Sequence, residues 1–219
     1  MKSYLFPIVF FIFATLIIGL NLWVEHGAYT PTQPVSDMNP TFKVVDYPVS
    51  LFTLEEQCVD EEHQPITCQK LTDIQTGDIL VTKSNHTFFY RHGHAGVVVD
   101  AKEGLVLEAL GYGEGSTLEP LEKWNDYPTV KVLRLKEGIE EDALSYQNIE
   151  KFLGIDYHLL AKKTDLTATH CADIVWKVFN QMGIDLDSNG GYFVTPKDIA
   201  NSPYLFEVET YGFSPDDTW

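Results

Sequence analysis

The residue with the clearest potential for chemistry is Cys171, which begins an apolar helical pattern over Cys171–Met182 (CADIVWKVFNQM). Thr169 is a candidate N-cap, so we expect the thiol to lie in the first helical turn, among backbone N–H groups that lack helical partners. The positive end of the helix dipole lowers a thiol pKa and favours the nucleophilic thiolate. The alternative is a buried cysteine that packs as a small apolar residue, and composition alone favours that alternative.

Two further residues make Cys171 a candidate catalytic group. His94 opens the strand-like run HAGVVV, where its imidazole can accept the thiol proton and later protonate a leaving group. Glu108 interrupts the apolar run 105–110, and a carboxylate inside a strand is costly unless it accepts a hydrogen bond. An imidazole N–H on the neighbouring strand would satisfy that carboxylate and fix the tautomer of the ring. Together these residues predict a Cys171–His94–Glu108 triad.

The elements that must position this triad are short strands followed by one prominent helix. Strand-like runs separated by Gly, Asn, Asp and Pro lie at 78–81, 95–99, 105–110 and 130–135. This spacing is typical of a meandering antiparallel sheet. Helical patterns cover 142–153 and 171–182, and a short third helix begins at Thr195-Pro196, with Thr as N-cap and Pro in the first position. We therefore predict one α+β domain over 51–219.

The amino terminus is predicted to lie outside this domain. Residues 5–22 (LFPIVFFIFATLIIGLNL) carry no charge, and as a helix they would be about 27 Å long, close to the roughly 30 Å hydrocarbon layer of a bilayer. Lys2 precedes the run and no Lys or Arg follows until Lys43, so the remaining chain should lie on the periplasmic or extracellular side of the cytoplasmic membrane. We predict a transmembrane anchor over 1–24 and a tether over 25–50. A cleaved signal peptide is the alternative.

Cys58 and Cys68 flank a polar stretch that contains a proline and is bracketed by the strand-like runs LFTL and ITCQKL. Their spacing suits a hairpin disulfide, which in an oxidising compartment would stabilise the fold by about 2.5 to 3 kcal/mol. Two unpaired thiols, or a metal site, are the alternatives. A Cys58–Cys68 bridge would leave Cys171 as the single free thiol.

Five motifs, taken together and in order, resemble one known family. They are GDILV (77–81), HAGVVV (94–99), VLEA (106–109), HCADIVW (170–176) and TPKDIANSP (195–203). The set resembles the circularly permuted papain-like cysteine hydrolases of the YiiX/YebB type, relatives of the NlpC-type cell-wall peptidases and of the lecithin:retinol acyltransferase group. The resemblance implies a permuted papain-like (NlpC-like) fold, in which an antiparallel sheet packs against the nucleophile helix. It also implies that His94 is the base, that Glu108 orients it and that Cys171 is the nucleophile.

The resemblance also points to two residues around the nucleophile. Tyr157 closes the stretch Gly154–Tyr157, which is similar to a Gly-x-x-Tyr segment of the family, and we expect it to line the substrate groove. His170 stands where relatives commonly have Tyr, and we expect it to donate a hydrogen bond near the oxyanion. Cys171 is followed by Ala172-Asp173 rather than the Ser-Glu that is frequent in the family. This departure alters the wall of the site more than its chemistry.

Charge and ligand spacing limit the partners and cofactors. The chain has 32 acidic and 15 basic residues, a formal charge of −17, and such a surface repels phosphate backbones, so we expect no nucleic-acid partner. A zinc site of His92, His94, His170 and Cys171 is an alternative to the triad, but the ligands are not spaced in pairs. We therefore expect no metal and no cofactor.

These observations predict a thiol hydrolase that cleaves an amide or ester bond through an acyl-enzyme. A peptidoglycan peptide or a lipid is the candidate substrate, and residues 5–22 are the expected membrane contact. One alternative is a lipid acyltransferase or lipase-like enzyme that uses the same triad. The other is a catalytically silent binding domain that keeps the fold.

Overall fold

The computed structural model describes residues 5–28, 43–50, 53–87, 90–140, 142–213 and 219, and within the first helix it describes the side chains of residues 7–19. In chain order the strands are β1 (Lys43–Pro48), β2 (Thr53–Val59), β3 (Ile79–Thr82), β4 (Asn85–Thr87), β5 (Tyr90–Arg91), β6 (His94–Asp100), β7 (Leu105–Ala109), β8 (Ser116–Pro120), β9 (Val130–Leu135), β10 (Asp156–Tyr157), β11 (Ala168–Thr169) and β12 (Leu205–Tyr211). The α-helices are α1 (Leu5–Ala28), α2 (Tyr146–Ile149), α3 (Cys171–Asn180) and α4 (Pro196–Ala200). Two 3₁₀ helices span Leu121–Asp126 and Glu150–Phe152.

A six-stranded antiparallel sheet, in the order β12-β9-β3-β6-β7-β8, forms the centre of this α+β fold. Side chains alternate across β6, so Ala95, Val97 and Val99 join the core that also contains the apolar face of α3. Ile174 and Val178 of α3 are fully buried in that core. The predicted strands and the predicted nucleophile helix are therefore confirmed as the elements that form the main core.

The other face of the sheet is covered by the first 3₁₀ helix, Leu121–Asp126. Its Trp124 is fully buried in a second core, together with Tyr127, Leu80, Val98 and Val106. Trp124 and Tyr127 pack edge to face, with 5.3 Å between their ring centroids. Because the side chains of the even-numbered residues of β6 point toward this face, the imidazole of His94 lies on the same side of the sheet as Trp124.

A second, four-stranded sheet has the order β1-β2-β4-β5. Cys58 of β2 forms a disulfide with Cys68, which lies in the loop after the strand. The backbone N–H groups of Cys68 and Gln69 donate to the carbonyl of Asn125, at 2.8 and 3.2 Å. The disulfide-closed loop is therefore attached to the end of the 3₁₀ helix that carries Trp124.

The structure corrects several predicted boundaries. The helix predicted over 142–153 is shorter, because α2 has four residues and continues as the 3₁₀ helix Glu150–Phe152. The predicted tether 25–50 contributes β1, which pairs along its whole length with β2, and residues 29–42 lie outside the described part of the chain. The start of α4 is confirmed: Thr195 is the N-cap in a capping box, and Pro196 is the first helical residue.

The predicted membrane anchor is wrong. Crossing a bilayer requires roughly 20 consecutive apolar residues in one helix. Within the part of the chain that the structure describes, no helix combines that length with that apolarity. The prediction that an anchor holds a catalytic domain outside the cytoplasmic membrane is therefore also wrong.

The disulfide is expected to stabilise the fold. Reduction of wild-type protein, or the double substitution Cys58→Ala and Cys68→Ala, should lower the free energy of unfolding by about 2 to 3 kcal/mol, because an unfolded chain without the cross-link gains conformational entropy. Urea denaturation with and without dithiothreitol measures the difference. The double variant is the control, since reductant should leave its stability unchanged. Equal stability of oxidised and reduced wild type, or a peptide map that joins Cys58 or Cys68 to Cys171, would contradict the assignment.

Candidate active site

Cys171 is the first residue of α3, and its neighbour His170 is the N-cap. His170 has an extended backbone, and its Nδ1 accepts a hydrogen bond from the N–H of Asp173 at 3.4 Å. The predicted cap, Thr169, lies one residue too early, and its hydroxyl instead donates to the Asp173 carboxylate at 2.9 Å. The sequence prediction was therefore right about the helix terminus and wrong about the capping residue. The thiol lies at the positive end of the helix, as expected.

His94 and Glu108 meet across β6 and β7. Val97 of β6 pairs with Leu107 of β7, which sets the register of these strands. Because side chains alternate along a strand, the side chain of Glu108 lies on the same face of the sheet as that of His94. Nε2 of His94 lies 2.7 Å from Oε2 of Glu108. His94 is 2% exposed and Glu108 is 0% exposed. An ion pair with so little water around it is screened weakly, so it strongly influences its neighbours.

Glu108 is ionised in spite of its burial. Burial alone would raise its pKa, but the charge of Lys123 and the hydrogen bonds from His94 and Trp124 lower the pKa to about 2. Nε1 of Trp124 donates to Oε1 at 2.6 Å, and Nζ of Lys123 lies 3.5 Å from Oε2. Both oxygens of the carboxylate therefore have partners, as a buried charge requires.

This carboxylate sets the protonation state of His94 and Cys171. Burial would lower the pKa of His94, but its hydrogen bonds to Cys171 and Glu108, together with the charges of both groups, raise the pKa to about 9. Burial would raise the pKa of Cys171, but hydrogen bonds from His170 and His94 hold it well below the usual thiol value. Both shifts favour an imidazolium beside a thiolate, the reactive form of a cysteine nucleophile.

Three more side chains interact with Cys171, one through a hydrogen bond and two through its charge. Because Nδ1 of His170 accepts the N–H of Asp173, the ring carries its proton on Nε2, and the ring hydrogen-bonds Cys171. Burial and the charge of Cys171 raise the pKa of Tyr157, so this phenol lies within the electrostatic influence of Cys171. Burial lowers the pKa of His92, while the charge of Cys171 opposes that shift. The structure thus brings together Cys171, His94, Glu108, His170 and Tyr157.

Sequence reasoning missed Trp124 and Lys123. They lie in the stretch EPLEKWNDYP, between two predicted strands, where no periodic pattern marks them as part of a site. A signal was present, because a carboxylate predicted to be buried needs more than one hydrogen-bond donor. Two adjacent residues with ammonium and indole donors, 15 and 16 residues after Glu108, were available to supply them.

Among the described residues, one group of possible metal ligands lies outside this site. It consists of Asp46, Glu56 and His86 on the four-stranded sheet. His86 already lies 3.0 Å from Asp46, and Arg91 donates to both oxygens of Glu56, at 2.6 and 2.7 Å. A cation at this position would have to displace or face the guanidinium.

Comparison with known proteins agrees with the fold but does not assign an activity. No protein-family model matches the sequence. The uncharacterized protein YycO of Bacillus subtilis (strain 168) is 28% identical over 147 residues, which are 65% of this chain and 58% of that protein. The chain is also similar to the crystal structure of the metalloprotein yiiX from Escherichia coli O157:H7, with a TM-score of 0.50 and 19% identity, covering 63% of this chain and 98% of that one. The match with yiiX shows a shared fold.

The lowered pKa of Cys171 predicts alkylation at mildly acidic pH. Iodoacetamide should modify Cys171 at a rate that is already near its plateau at neutral pH, because the imidazolium and the helix terminus stabilise the thiolate. The pH dependence of the rate constant, followed by mass spectrometry, tests this. The variant His94→Gln is the control, and it should move the rise in rate toward the free-thiol pKa of about 8.5. A wild-type rate that rises only near that pH would contradict the ion pair.

Proposed function

We propose that the protein is a thiol hydrolase that cleaves an amide or ester bond through an acyl-enzyme on Cys171. The observation that carries the proposal is the continuous chain from the Cys171 sulfur through His94 to Glu108, in which the Glu108–His94 distance is 2.7 Å. The sequence resemblance to cysteine hydrolases of the YiiX/YebB type implies the same three roles. The shared fold with yiiX is consistent with them.

In the first half of the reaction the Cys171 thiolate attacks the carbonyl carbon, and the carbonyl π electrons move to oxygen. The backbone N–H of Cys171 and the Nε2–H of His170 receive this oxyanion at the helix terminus. The tetrahedral intermediate then collapses, the bond to the amine or alcohol breaks, and the His94 imidazolium gives its proton to the leaving group. The products of this half are a thioester on Cys171 and a neutral His94.

In the second half neutral His94 removes a proton from water, whose oxygen attacks the thioester carbon. Collapse of the new intermediate breaks the carbon–sulfur bond, releases a carboxylic acid and restores the thiolate beside an imidazolium. Glu108 stabilises the imidazolium in the resting state and holds Nε2, so that the other ring nitrogen remains directed at the sulfur.

A second candidate is acyl transfer to an alcohol or lipid in place of water. The observation that favours it lies in the loop between β10 and β11, which joins Tyr157 to the nucleophile helix. Leu159, Leu160 and Leu166 of this loop are 45%, 62% and 81% exposed. Exposed apolar side chains on this loop would favour an apolar acceptor. The reaction would share the thioester intermediate and differ only in its second half.

Activity is tested with a panel of amide, ester and thioester probes. The proposal expects turnover of at least one class by wild type and none by Cys171→Ala. Turnover that survives in Cys171→Ala would remove the proposed nucleophile. A reactive thiol that turns over no member of the panel would favour a silent binding domain. Product analysis with an added alcohol separates hydrolysis from acyl transfer.

Glu108→Gln should lower kcat by about tenfold or more, because the neutral amide stabilises an imidazolium poorly and has only one oxygen to accept from His94 and Trp124. Steady-state kinetics on the best probe measures the change, and circular dichroism establishes that the variant is folded. Glu207→Gln on β12 is the matched control, because Glu207 is half exposed and pairs with Lys131 away from the triad. Full activity of Glu108→Gln would exclude Glu108 from the mechanism.

The pH profile of kcat/KM should be bell-shaped. Its basic limb should lie near pH 9, because His94, with a pKa of about 9, must be protonated to stabilise the thiolate and serve the leaving group. Its acid limb should lie well below the usual thiol pKa, because the lowered pKa of Cys171 keeps the thiolate present in mild acid. A single limb that rises through pH 8 to 9 would contradict this assignment.

A further inference from the structure

We propose that Trp124 and Lys123 are positioning residues for the His94–Glu108 pair, a role that rests on the proposed function of that pair. Among the described residues, their contacts with the triad are to Glu108 and to the imidazole of His94. Each acts through Glu108 or the imidazole of His94. The two lie next to each other on the 3₁₀ helix Leu121–Asp126, so one short element supplies both contacts.

Trp124 holds both members of the pair at once. Its indole Nε1 donates to Oε1 of Glu108 at 2.6 Å, while Oε2 of the same carboxylate pairs with His94. The indole ring also stacks on the imidazole, with a centroid distance of 5.6 Å and an interplanar angle of 19°. The hydrogen bond fixes the rotation of the carboxylate, and the stack fixes the plane of the ring. A phenylalanine at position 124 could stack but could not donate.

The space for this arrangement depends on Gly96, two residues after His94 on the same face of β6. A Cβ added at Gly96 would lie 3.0 Å from Cγ of Glu108 and 3.1 Å from Cζ2 of Trp124. It would also lie 2.7 Å from Cγ1 of Val106. The missing side chain therefore lets the carboxylate and the indole converge on His94, and close packing leaves the indole without an alternative position.

Lys123 supplies the positive charge that this buried cluster needs. Its Nζ lies 3.5 Å from Glu108 and 3.9 Å from Glu55 of β2, and Glu119 of β8 also faces it. The Tyr127 hydroxyl donates to Glu55 at 2.8 Å, so it satisfies that carboxylate without neutralising it. Without Lys123, the charge of His94 alone would face several carboxylates. Burial would then raise the pKa of Glu108, and the anion that supports the imidazolium would be lost at a higher pH.

Two substitutions separate these contacts. Trp124→Phe keeps an aromatic ring and removes the donor, and Lys123→Met keeps the aliphatic stem and removes the charge. Trp176→Phe is the matched control for the first, because the Trp176 indole donates to Asp185 at 2.7 Å, outside the triad. Lys163→Met is the control for the second, because Lys163 pairs with Asp187. Lys123→Arg restores the charge.

Two measurements report on position and charge. In steady-state kinetics Trp124→Phe should lower kcat by about tenfold with KM within about twofold, since displacement of a catalytic group affects the transition state more than binding. In iodoacetamide alkylation of Cys171, Lys123→Met should move the acid limb upward by about one pH unit, and Lys123→Arg should restore it. The two control variants should match wild type in both measurements.

Alkylation also keeps this inference separate from the proposed function, because it needs no substrate. If wild type turns over no probe, the proposed function fails, while the alkylation profiles still test Lys123. Profiles of Lys123→Met and Lys163→Met that both coincide with wild type would overturn the positioning role of Lys123. If Trp124→Phe has the same kcat as Trp176→Phe, the positioning role of Trp124 is overturned. If Trp124→Phe does not fold, the inference is tested by the alkylation profile of Lys123→Met alone. The Lys123 side chain is 19% exposed and therefore tolerates substitution more readily.

Discussion

The burial of the Glu108 carboxylate is the constraint on which the rest of the site depends. A charge with no exposed surface in the interior of a strand destabilises a fold unless every oxygen has a partner. Here β6 brings His94, and a 3₁₀ helix on the same face of the sheet brings Trp124 and Lys123. The requirement to satisfy one buried anion thus determines where an imidazole, an indole and an ammonium group must lie.

The consequences of this anion extend to the sulfur. Glu108 raises the proton affinity of His94, and protonated His94, together with His170, lowers the pKa of Cys171. The helix terminus acts in the same direction, because α3 begins at Cys171 and directs its N–H groups at the site. The local charges and the helix dipole therefore cooperate, and the low exposure of the site prevents water from screening either contribution.

The outer parts of the fold contribute by bracing the element that serves Glu108. Cys68, which closes a loop through its disulfide with Cys58, and the following residue Gln69 each donate a backbone hydrogen bond to Asn125, next to Trp124. Strand β2 carries both Cys58 and Glu55, and Glu55 shares Lys123 with Glu108. The small sheet, the disulfide and the 3₁₀ helix therefore support one another on the face of the main sheet opposite α3.

The sequence by itself determined the elements whose signals are local. Alternating and helical apolar patterns predicted the central strands and α3. A cysteine at the start of a helix, a histidine at the start of a strand and a glutamate inside an apolar strand together predicted a Cys–His–Glu triad. Local patterns were less reliable where structure depends on context: His170 caps α3 instead of Thr169, the helix over 142–153 is short, and the apolar run after residue 4 does not form a membrane-spanning helix among the described residues.

Only the tertiary structure decided which residues complete the site. The contacts of Trp124 and Lys123 with Glu108 join residues 16 and 15 positions apart, and Glu55 reaches Lys123 from a different sheet. No periodicity encodes such contacts, because they arise where separate elements pack on one face of the sheet. Packing space is equally non-local, since the importance of Gly96 becomes visible only when Glu108 and Trp124 are placed beside it. The protonation states of the triad depend on these distances and on burial, and both are properties of the folded chain.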